Sequence, residues 1–334
     1  MAGEKKRLSR VVALLGGIVI GLAVVMIALY YDTGNHSEQS GSGDLHATAP
    51  ATRTATTSIV SPEGTPAFKS PGAGESATIQ LASAGRTRQF ILSVPRNFYP
   101  GRRIPVIFAF HGYGENAALM ETYTHLDDAQ ALIVYPDGIR QSWEGAPYSV
   151  TNKGKDRQFV HDILAALKTV YPVDTERVFA AGFSNGGGFA AMIGCQMPDL
   201  FAGVALVSAA YYPAVHENCS GEPVALLDIH GTEDPVVKYD GGTRHGTRYD
   251  SVPAVLEKAS RRNHCVGGSQ FYRINRSAVR QDWYGCELPL SHIRVGEGVH
   301  AWPGAPNDKR EHVPKNMATD EILRFFGIAK VPAR

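Results

Sequence analysis

The stretch from Val178 to Met192, VFAAGFSNGGGFAAM, constrains the fold of this chain more than any other. An apolar run ends at Phe183, a serine follows between glycines, and small residues continue beyond it. Gly182, Ser184 and Gly186 match the Gly-x-Ser-x-Gly pattern, in which a serine occupies a strained turn between a strand and a helix that pack closely. The alternative is a glycine-rich turn in which the Ser184 hydroxyl only caps the helix.

Strand and helix patterns alternate on both sides of this stretch. The apolar or alternating runs TRQFILSVP, IPVIFAF, ALIVYPD, RVFAAGFS, FAGVALVSAA and PVALLDIH predict strands, and several are apolar throughout, as in strands buried on both faces. Helices are predicted for three segments: RQFVHDILAALKTVYP, residues Asn185 to Gln196, and TDEILRFFGI, where Thr319 is the predicted N-cap. The pattern indicates an α/β fold whose mostly parallel sheet has helices on both faces. Ligands of such sheets bind at the carboxyl ends of the strands.

Two further strand ends supply an acid and a base. A serine nucleophile needs a base, and the base needs an orienting acid. In folds that carry this strand–serine–helix junction they follow in the order serine, acid, histidine. Asp234 in HGTEDP is the predicted acid, with its neighbour Glu233 as the alternative, and His300 in EGVHAWPG is the predicted base.

The other histidines fit this role less well. His230 precedes the acid and is expected to be structural, packed or hydrogen-bonded behind it. His292 lies inside a predicted strand, and His312 precedes a proline in a polar loop. Asp156 and Asp162, at the start of and within the long helix, are expected to be surface and capping residues.

An oxyanion would form on the substrate and needs donors. The backbone N–H of Asn185, at a helix N-terminus, is one predicted donor, and the N–H of Tyr113 in HGYG is the other. HGYG as an ordinary turn is the alternative. Trp143 in RQSWEG and Trp302 beside His300 are predicted to line the substrate pocket together with Tyr113 and Phe183, although aromatic residues near a cleft also simply fill space.

Five motifs occur in this order along the chain: FHGYGEN, VYPDG with SW, RVFAAGFSNGGGFAAMIGCQMPDLFAGVALVSAA, DIHGTEDPVV and GVHAWPG. Together they resemble the poly(3-hydroxybutyrate) depolymerase and feruloyl or acetylxylan esterase branch of the α/β-hydrolases, from about Ile79 to Ile328. The resemblance implies Ser184, Asp234 and His300 as a triad, and disulfides in an exported enzyme. It also implies ester substrates that are polymer-attached acyl groups or short hydroxyacid esters.

The N-terminal region departs from that family. A basic segment precedes an uncharged apolar run from Val11 to Tyr31, which as a helix spans the roughly 30 Å of a hydrocarbon core. We expect a signal anchor at residues 1–31, with a cleaved signal peptide as the alternative. Residues 32–78, rich in Ser, Thr, Gly and Pro, are expected to be a flexible linker, and residues 79–334 one esterase domain outside the cytoplasm. No separate polymer-binding domain is expected.

The chain has four cysteines, all in the part expected to be exported: Cys195, Cys219, Cys265 and Cys286. Of the three possible pairings we favour Cys195–Cys219 and Cys265–Cys286, which each close a short loop; four reduced buried thiols are the alternative. There is no Cys-x-x-Cys spacing, so no metal or redox site is expected. The formal net charge of +1 argues against a nucleic-acid partner.

These features together predict an exported serine carboxylic-ester hydrolase that needs no cofactor and acts through an acyl-enzyme on short-chain, hydroxyacid or aromatic esters. Two alternatives remain open. One is a non-catalytic cell-surface binding protein on the same fold. The other is a serine peptidase, although peptidases of this fold commonly carry a propeller or a large cap.

Overall fold

The computed structural model describes residues 68–306, 308, 310 and 312–331. The apolar run from Val11 to Tyr31 lies outside these residues, as does most of the predicted linker. Within the described part, no helix combines the length and apolar character needed to cross a membrane.

Twelve strands occur in the described residues, and ten of them form the central sheet. The strands are β1 (Ser76–Ser83), β2 (Arg86–Ser93), β3 (Ile104–Phe110), β4 (Leu132–Pro136), β5 (Val173–Phe183), β6 (Gly203–Val207), β7 (Ala225–Gly231), β8 (Gly242–Arg244), β9 (Thr247–Tyr249), β10 (Ser269–Arg273), β11 (Ala278–Trp283) and β12 (Leu290–Val295). The helices are α1 (Ala117–Thr124), α2 (Lys155–Lys168), α3 (Asn185–Gln196), α4 (Val252–Arg262) and α5 (Met317–Phe325).

The strand order of the central sheet is β1-β2-β4-β3-β5-β6-β7-β12-β11-β10. The six strands from β4 to β12 run parallel, and the pairs at both edges are antiparallel. Strands β8 and β9 form a separate hairpin. The carboxyl ends of β3, β5, β6, β7 and β12 therefore meet at one edge, which is where ligands bind in such sheets.

Both faces of the sheet are covered, as the apolar strand patterns predict. Along β3, Val106, Phe108 and Phe110 pack into one layer with α2, α3 and α4, while Ile107 and Ala109 pack into the other with α1 and α5. The predicted α/β fold with a mostly parallel sheet is thus confirmed.

Two details of the prediction are corrected. The first strand begins at Ser76 and Phe68 is buried, so the folded part starts before the expected position Ile79. The last helix begins at Met317 with Asn316 at the N-cap position, not Thr319. The Thr319 hydroxyl instead donates to the Thr124 carbonyl inside the core, because the side chain is fully buried against α1.

Candidate active site

Ser184 sits at the sharp junction between β5 and α3. Its φ of 53° and ψ of −115° lie in a region that non-glycine residues rarely adopt, and such strain concentrates at functional sites. Three backbone hydrogen bonds hold the residue: its N–H donates to Val207, and its carbonyl accepts from Gly188 and Ala210. The Ser184 side chain makes no helix-capping bond, so the capping interpretation of this serine is wrong.

The flanking glycines are required by close backbone approach. A Cβ on Gly182 would lie 2.1 Å from the carbonyl oxygen of Gly186, and a Cβ on Gly186 would lie 2.1 Å from the carbonyl oxygen of Phe110. At either position a side chain would force the facing backbone to move. The Gly-x-Ser-x-Gly pattern is therefore explained by the packing of α3 against the ends of β5 and β3.

Asp234 and His300 are in contact at the neighbouring strand ends. The Nδ1 of His300 lies 2.7 Å from Oδ2 of Asp234, whose carboxylate is fully buried. The other oxygen of Asp234 accepts the backbone N–H groups of Val236 and Val237, each at 2.8 Å. A carboxylate accepts only, so this contact places a proton on Nδ1 of His300 and leaves Nε2 outside the hydrogen bond. The alternative acid Glu233 is exposed.

The imidazole of His300 packs on the residue that precedes the serine. Its ring centroid lies 4.9 Å from that of Phe183, the residue directly before Ser184. Within the described residues the Oγ of Ser184 has no hydrogen-bond partner, and the side chain is only slightly accessible. Serine–histidine hydrogen bonds of unliganded active sites are often long and tighten on substrate binding.

The two predicted oxyanion donors lie at the ends of neighbouring elements. In the described part of the chain, neither the N–H of Tyr113 nor that of Asn185 donates to a protein acceptor. His111 shapes the Tyr113 turn: its Nε2 accepts from the Gly138 N–H at 3.0 Å, and its Nδ1 lies 2.8 Å from the Gly112 carbonyl. These contacts assign the proton to Nδ1, and burial lowers the pKa of His111, which keeps the ring neutral.

Trp143 is not a substrate-contacting residue, in contrast to the prediction. Its side chain is completely buried and stacks on Phe189, because the loop after β4 folds inward. The indole N–H donates to the His111 carbonyl at 3.0 Å. The Trp143 backbone N–H donates to Oδ1 of Asn185 at 2.8 Å, and Nδ2 of Asn185 donates to the Trp143 carbonyl at 3.3 Å. Trp143 therefore links the Tyr113 turn, through His111, to the start of α3, through Asn185.

Trp302 is also a core residue. Only 2% of its surface is exposed, and its indole N–H donates to the hydroxyl of Thr319 at 3.0 Å. Both side chains are buried in the core, so neither offers a surface to a ligand.

Of the other two aromatic residues predicted to line the pocket, Phe183 is buried and Tyr113 is exposed. Tyr148 and His245, which the sequence did not single out, lie beside Tyr113. The Tyr113 side chain is 53% exposed, and its ring centroid is 4.2 Å from that of Tyr148. His245, at the tip of the β8–β9 hairpin, lies 4.6 Å from Tyr148. We call these three rings the aromatic face. They come from three separate loops, so no local pattern could have connected them.

The remaining predicted residues have clear positions. His230 is buried directly behind Asp234, as expected, and His292 is buried against Asp228 with an Nδ1–Oδ1 distance of 2.8 Å. Asp156 is not a surface residue: it is fully buried and pairs with Arg88 at 2.9 Å.

The disulfides join Cys195 to Cys219 and Cys265 to Cys286, which is the favoured pairing. No group of three or more His, Cys, Asp or Glu side chains is arranged to hold a metal ion in the part of the chain that the structure describes.

Comparison with known proteins identifies related chains. The esterase family model, described as "Putative esterase", matches residues 82–265. The chain is 28% identical over 273 residues to "Feruloyl esterase C" of Emericella nidulans, which covers 77% of this chain and 90% of that protein. It is 31% identical over 280 residues to "Putative esterase NocK" of Nocardia uniformis subsp. tsuyamanensis, which covers 75% of this chain and 81% of that protein.

A solved structure has the same fold. The structure "Acetyl xylan esterase from Aspergillus awamori" superposes with a TM-score of 0.52 at 12% identity, covering 72% of this chain and 94% of that one. This similarity supports the α/β-hydrolase architecture.

Proposed function

This chain belongs to the esterase family and is a carboxylic ester hydrolase, and we propose that Ser184, His300 and Asp234 are its nucleophile, base and acid. The observation that carries the proposal is the strained Ser184 directly after Phe183, on whose ring the partly exposed His300 packs while its Nδ1 contacts the buried Asp234 carboxylate. These are the roles and the geometry that an acyl-transfer triad requires.

The proposed reaction has two halves. Nε2 of His300 takes the Ser184 hydroxyl proton while Oγ attacks the acyl carbon, and the tetrahedral oxyanion then collapses. The alcohol leaves with the proton from His300, and an acyl group remains on Ser184. Water, deprotonated by His300, attacks this acyl-enzyme. The bond between the acyl carbon and Oγ then breaks, Oγ takes the proton back from His300, and the carboxylic acid is released. Asp234 keeps the imidazole in the productive tautomer and stabilises the imidazolium through the 2.7 Å contact with Nδ1.

The N–H groups of Tyr113 and Asn185 are the proposed donors to the oxyanion. Both lack a protein acceptor in the described residues, and Asn185 N–H also lies at the N-terminus of α3, where the helix dipole favours negative charge. Removing one such donor typically costs about 100- to 1000-fold in turnover.

For the substrate, we propose short-chain, hydroxyacid or aromatic esters, including acyl groups attached to a polymer. Relatives are named for feruloyl and acetyl xylan ester hydrolysis. The half-exposed ring of Tyr113 belongs to the aromatic face, and a planar acyl group can stack there next to the proposed oxyanion donor.

We also propose that the enzyme works outside the cytoplasm. Two disulfides stabilise the domain, and such bonds persist in oxidising compartments. Residues 1–31 are proposed to direct export as an anchor or a cleaved signal peptide, followed by a linker to the esterase domain. The intact mass of the exported protein decides between anchor and cleaved peptide: the mass of the full chain indicates an anchor.

The experiment that tests the catalytic proposal compares Ser184→Ala with the wild type on p-nitrophenyl acetate and methyl ferulate. We expect Ser184→Ala to abolish turnover while the thermal transition persists, because the hydroxyl is the nucleophile. Ser220→Ala, which removes an exposed serine hydroxyl, is the matched control and should keep full activity. Near-normal turnover by Ser184→Ala would contradict the proposal.

A further inference from the structure

A group of polar side chains lies beneath the turn that carries Asp234. Four of them are buried: Asp228 and His230 on β7, His292 on β12, and Tyr211. The fifth, Tyr239, lies in the loop after β7 and contacts His292. The Tyr211 hydroxyl donates to Asp228, and the Tyr239 hydroxyl lies 2.9 Å from Nε2 of His292. The mechanism above uses none of them.

His230 is the member that touches the catalytic turn. Its Nε2 lies 2.8 Å from the Val237 carbonyl oxygen and 3.6 Å from Oδ2 of Asp234. A carbonyl only accepts, so Nε2 carries the proton and donates it to Val237. The same N–H is close enough to the Asp234 carboxylate to add a weaker favourable interaction.

This contact anchors one end of a short irregular segment. The segment runs from Thr232 to Val237. At its N-terminal side, the N–H of Thr232 donates to the Val295 carbonyl, and the N–H of Glu233 donates to the Gly298 carbonyl. On its C-terminal side, the Asp234 carboxylate accepts the N–H of Val237, and the Val237 carbonyl accepts from His230. Since β7 is paired on both sides within the sheet, His230 ties the far end of the segment to a rigid element.

We propose that His230 is a positioning residue that holds the Asp234 carboxylate in line with His300. The inference rests on the proposed function, in which the Asp234–His300 pair serves the Ser184 nucleophile. His230 touches neither Ser184 nor His300 and acts only through Asp234.

The neutral state of His230 is part of this role. The charged and titratable groups that face it are Asp228 on its own strand, Asp234, His292 on β12, and Tyr239, whose ring lies 6.0 Å away. Burial nevertheless lowers the pKa of His230, so the ring stays neutral at ordinary pH. Its Nδ1 is buried and has no hydrogen-bond partner among the described residues, consistent with a single proton on Nε2.

The test uses two variants of His230 and one control in the full protein. His230→Leu removes the donor, whereas the amide of His230→Gln can still donate to Val237. His292→Gln is the control, because it perturbs the same buried group through Asp228 and Tyr239, and among the described residues His292 makes no hydrogen bond to residues 232–237. Two quantities are measured: kcat and KM for p-nitrophenyl acetate, and the pKa of His300 by NMR titration of its imidazole, which needs no turnover.

We expect His230→Leu to lower kcat by about 10- to 100-fold with KM changed less than about twofold, since small misplacements of catalytic groups have effects of this size. In the NMR titration, the imidazole of His300 should lose its proton at a lower pH in His230→Leu than in the wild type, because a misaligned carboxylate stabilises the imidazolium less. His230→Gln should recover most of both, and His292→Gln should keep both near the wild-type values.

The proposal is overturned if His230→Leu leaves the His300 pKa unchanged, or if His292→Gln lowers it equally. If His230→Leu fails to fold, His230→Gln is compared with His292→Gln. Values of kcat and of the His300 pKa near the wild type in His230→Gln support the positioning role. Changes in His230→Gln that equal or exceed those in His292→Gln overturn it. A wild type without esterase activity contradicts the proposed function, whereas the NMR titration still decides the role of His230.

Discussion

Replacing Gly186 with alanine tests whether the close packing behind Ser184 positions the oxyanion donors. A Cβ at this position would lie 2.1 Å from the carbonyl oxygen of Phe110 and 2.5 Å from that of His111. Cβ atoms essentially never approach within 3.0 Å of a heavy atom, so the two backbones must separate by at least about 0.9 Å, the difference between 3.0 and 2.1 Å. Neither atom is the end of a flexible side chain, so the shift passes to the segments that carry Tyr113 and Asn185.

The size of that shift sets the expected effect. A misplacement of about 1 Å can cost about 100-fold in rate, and a lost oxyanion donor costs about 100- to 1000-fold. We therefore expect Gly186→Ala to lower kcat on p-nitrophenyl acetate by about 100-fold or more. Overpacking of this kind typically destabilises a protein by about 1–3 kcal/mol, so most of the chain should still fold.

The control is Gly85→Ala, in the turn between β1 and β2. Gly85 has a φ of +75°, and a Cβ added there would have no neighbour within 4 Å, so alanine meets only backbone strain of about 1–2 kcal/mol. Initial rates are measured on protein whose folded fraction is checked by circular dichroism. A folded Gly186→Ala enzyme with kcat within about threefold of the wild type, or an equal loss in Gly85→Ala, would refute the reasoning.

Three further predictions concern stability. Asp156→Ala removes the ion-pair partner of the buried Arg88 guanidinium and should lower the free energy of unfolding by about 3–5 kcal/mol in urea titrations. Asp162→Ala on the same helix is the control and should change it by less than about 0.5 kcal/mol. Similar values for both variants would refute the importance of the buried pair. Replacing Cys265 and Cys286 together by serine opens a loop with a sequence separation of 21 and should cost about 3 kcal/mol, and an unchanged thermal midpoint would contradict this. Burial lowers the pKa of His216 to about 4, so as the pH falls the unfolded chain takes up this proton before the folded chain does. The free energy of unfolding should therefore drop by about 3 kcal/mol between pH 6.5 and 4. His216→Gln should flatten that profile, and an unaltered profile would refute the reasoning.

The parts of the site that could be predicted from sequence are those that depend on strand ends. Gly182 and Gly186 indicated a tight junction because only glycine tolerates such approach, and the structure places both against backbone carbonyls. Of the two neighbouring acid candidates, the predicted one, Asp234, is the residue that contacts His300. Chain order after parallel strands is enough to bring such residues to one edge of the sheet. Their catalytic roles remain predictions.

The parts that could not be predicted depend on which way a side chain turns. Trp143 and Trp302 lie near the site in sequence, but their large apolar surfaces are stabilised more by burial than by exposure at its mouth. Asp156 has the sequence context of a helix-capping residue, yet its partner Arg88 comes from a strand far away in the chain. Long-range pairs of this kind leave no local periodic pattern.

The measurement that tests the central claim most directly is active-site titration with a fluorophosphonate, followed by mass spectrometry of the labelled peptide. The account predicts one label per chain, on Ser184, and strongly slowed labelling in His300→Ala, because Nε2 of His300 activates the serine. Ser184→Ala should not be labelled at all. Folded wild-type protein that takes up no label, or that carries it on a different residue, would contradict the claim that Ser184 is the nucleophile of this esterase.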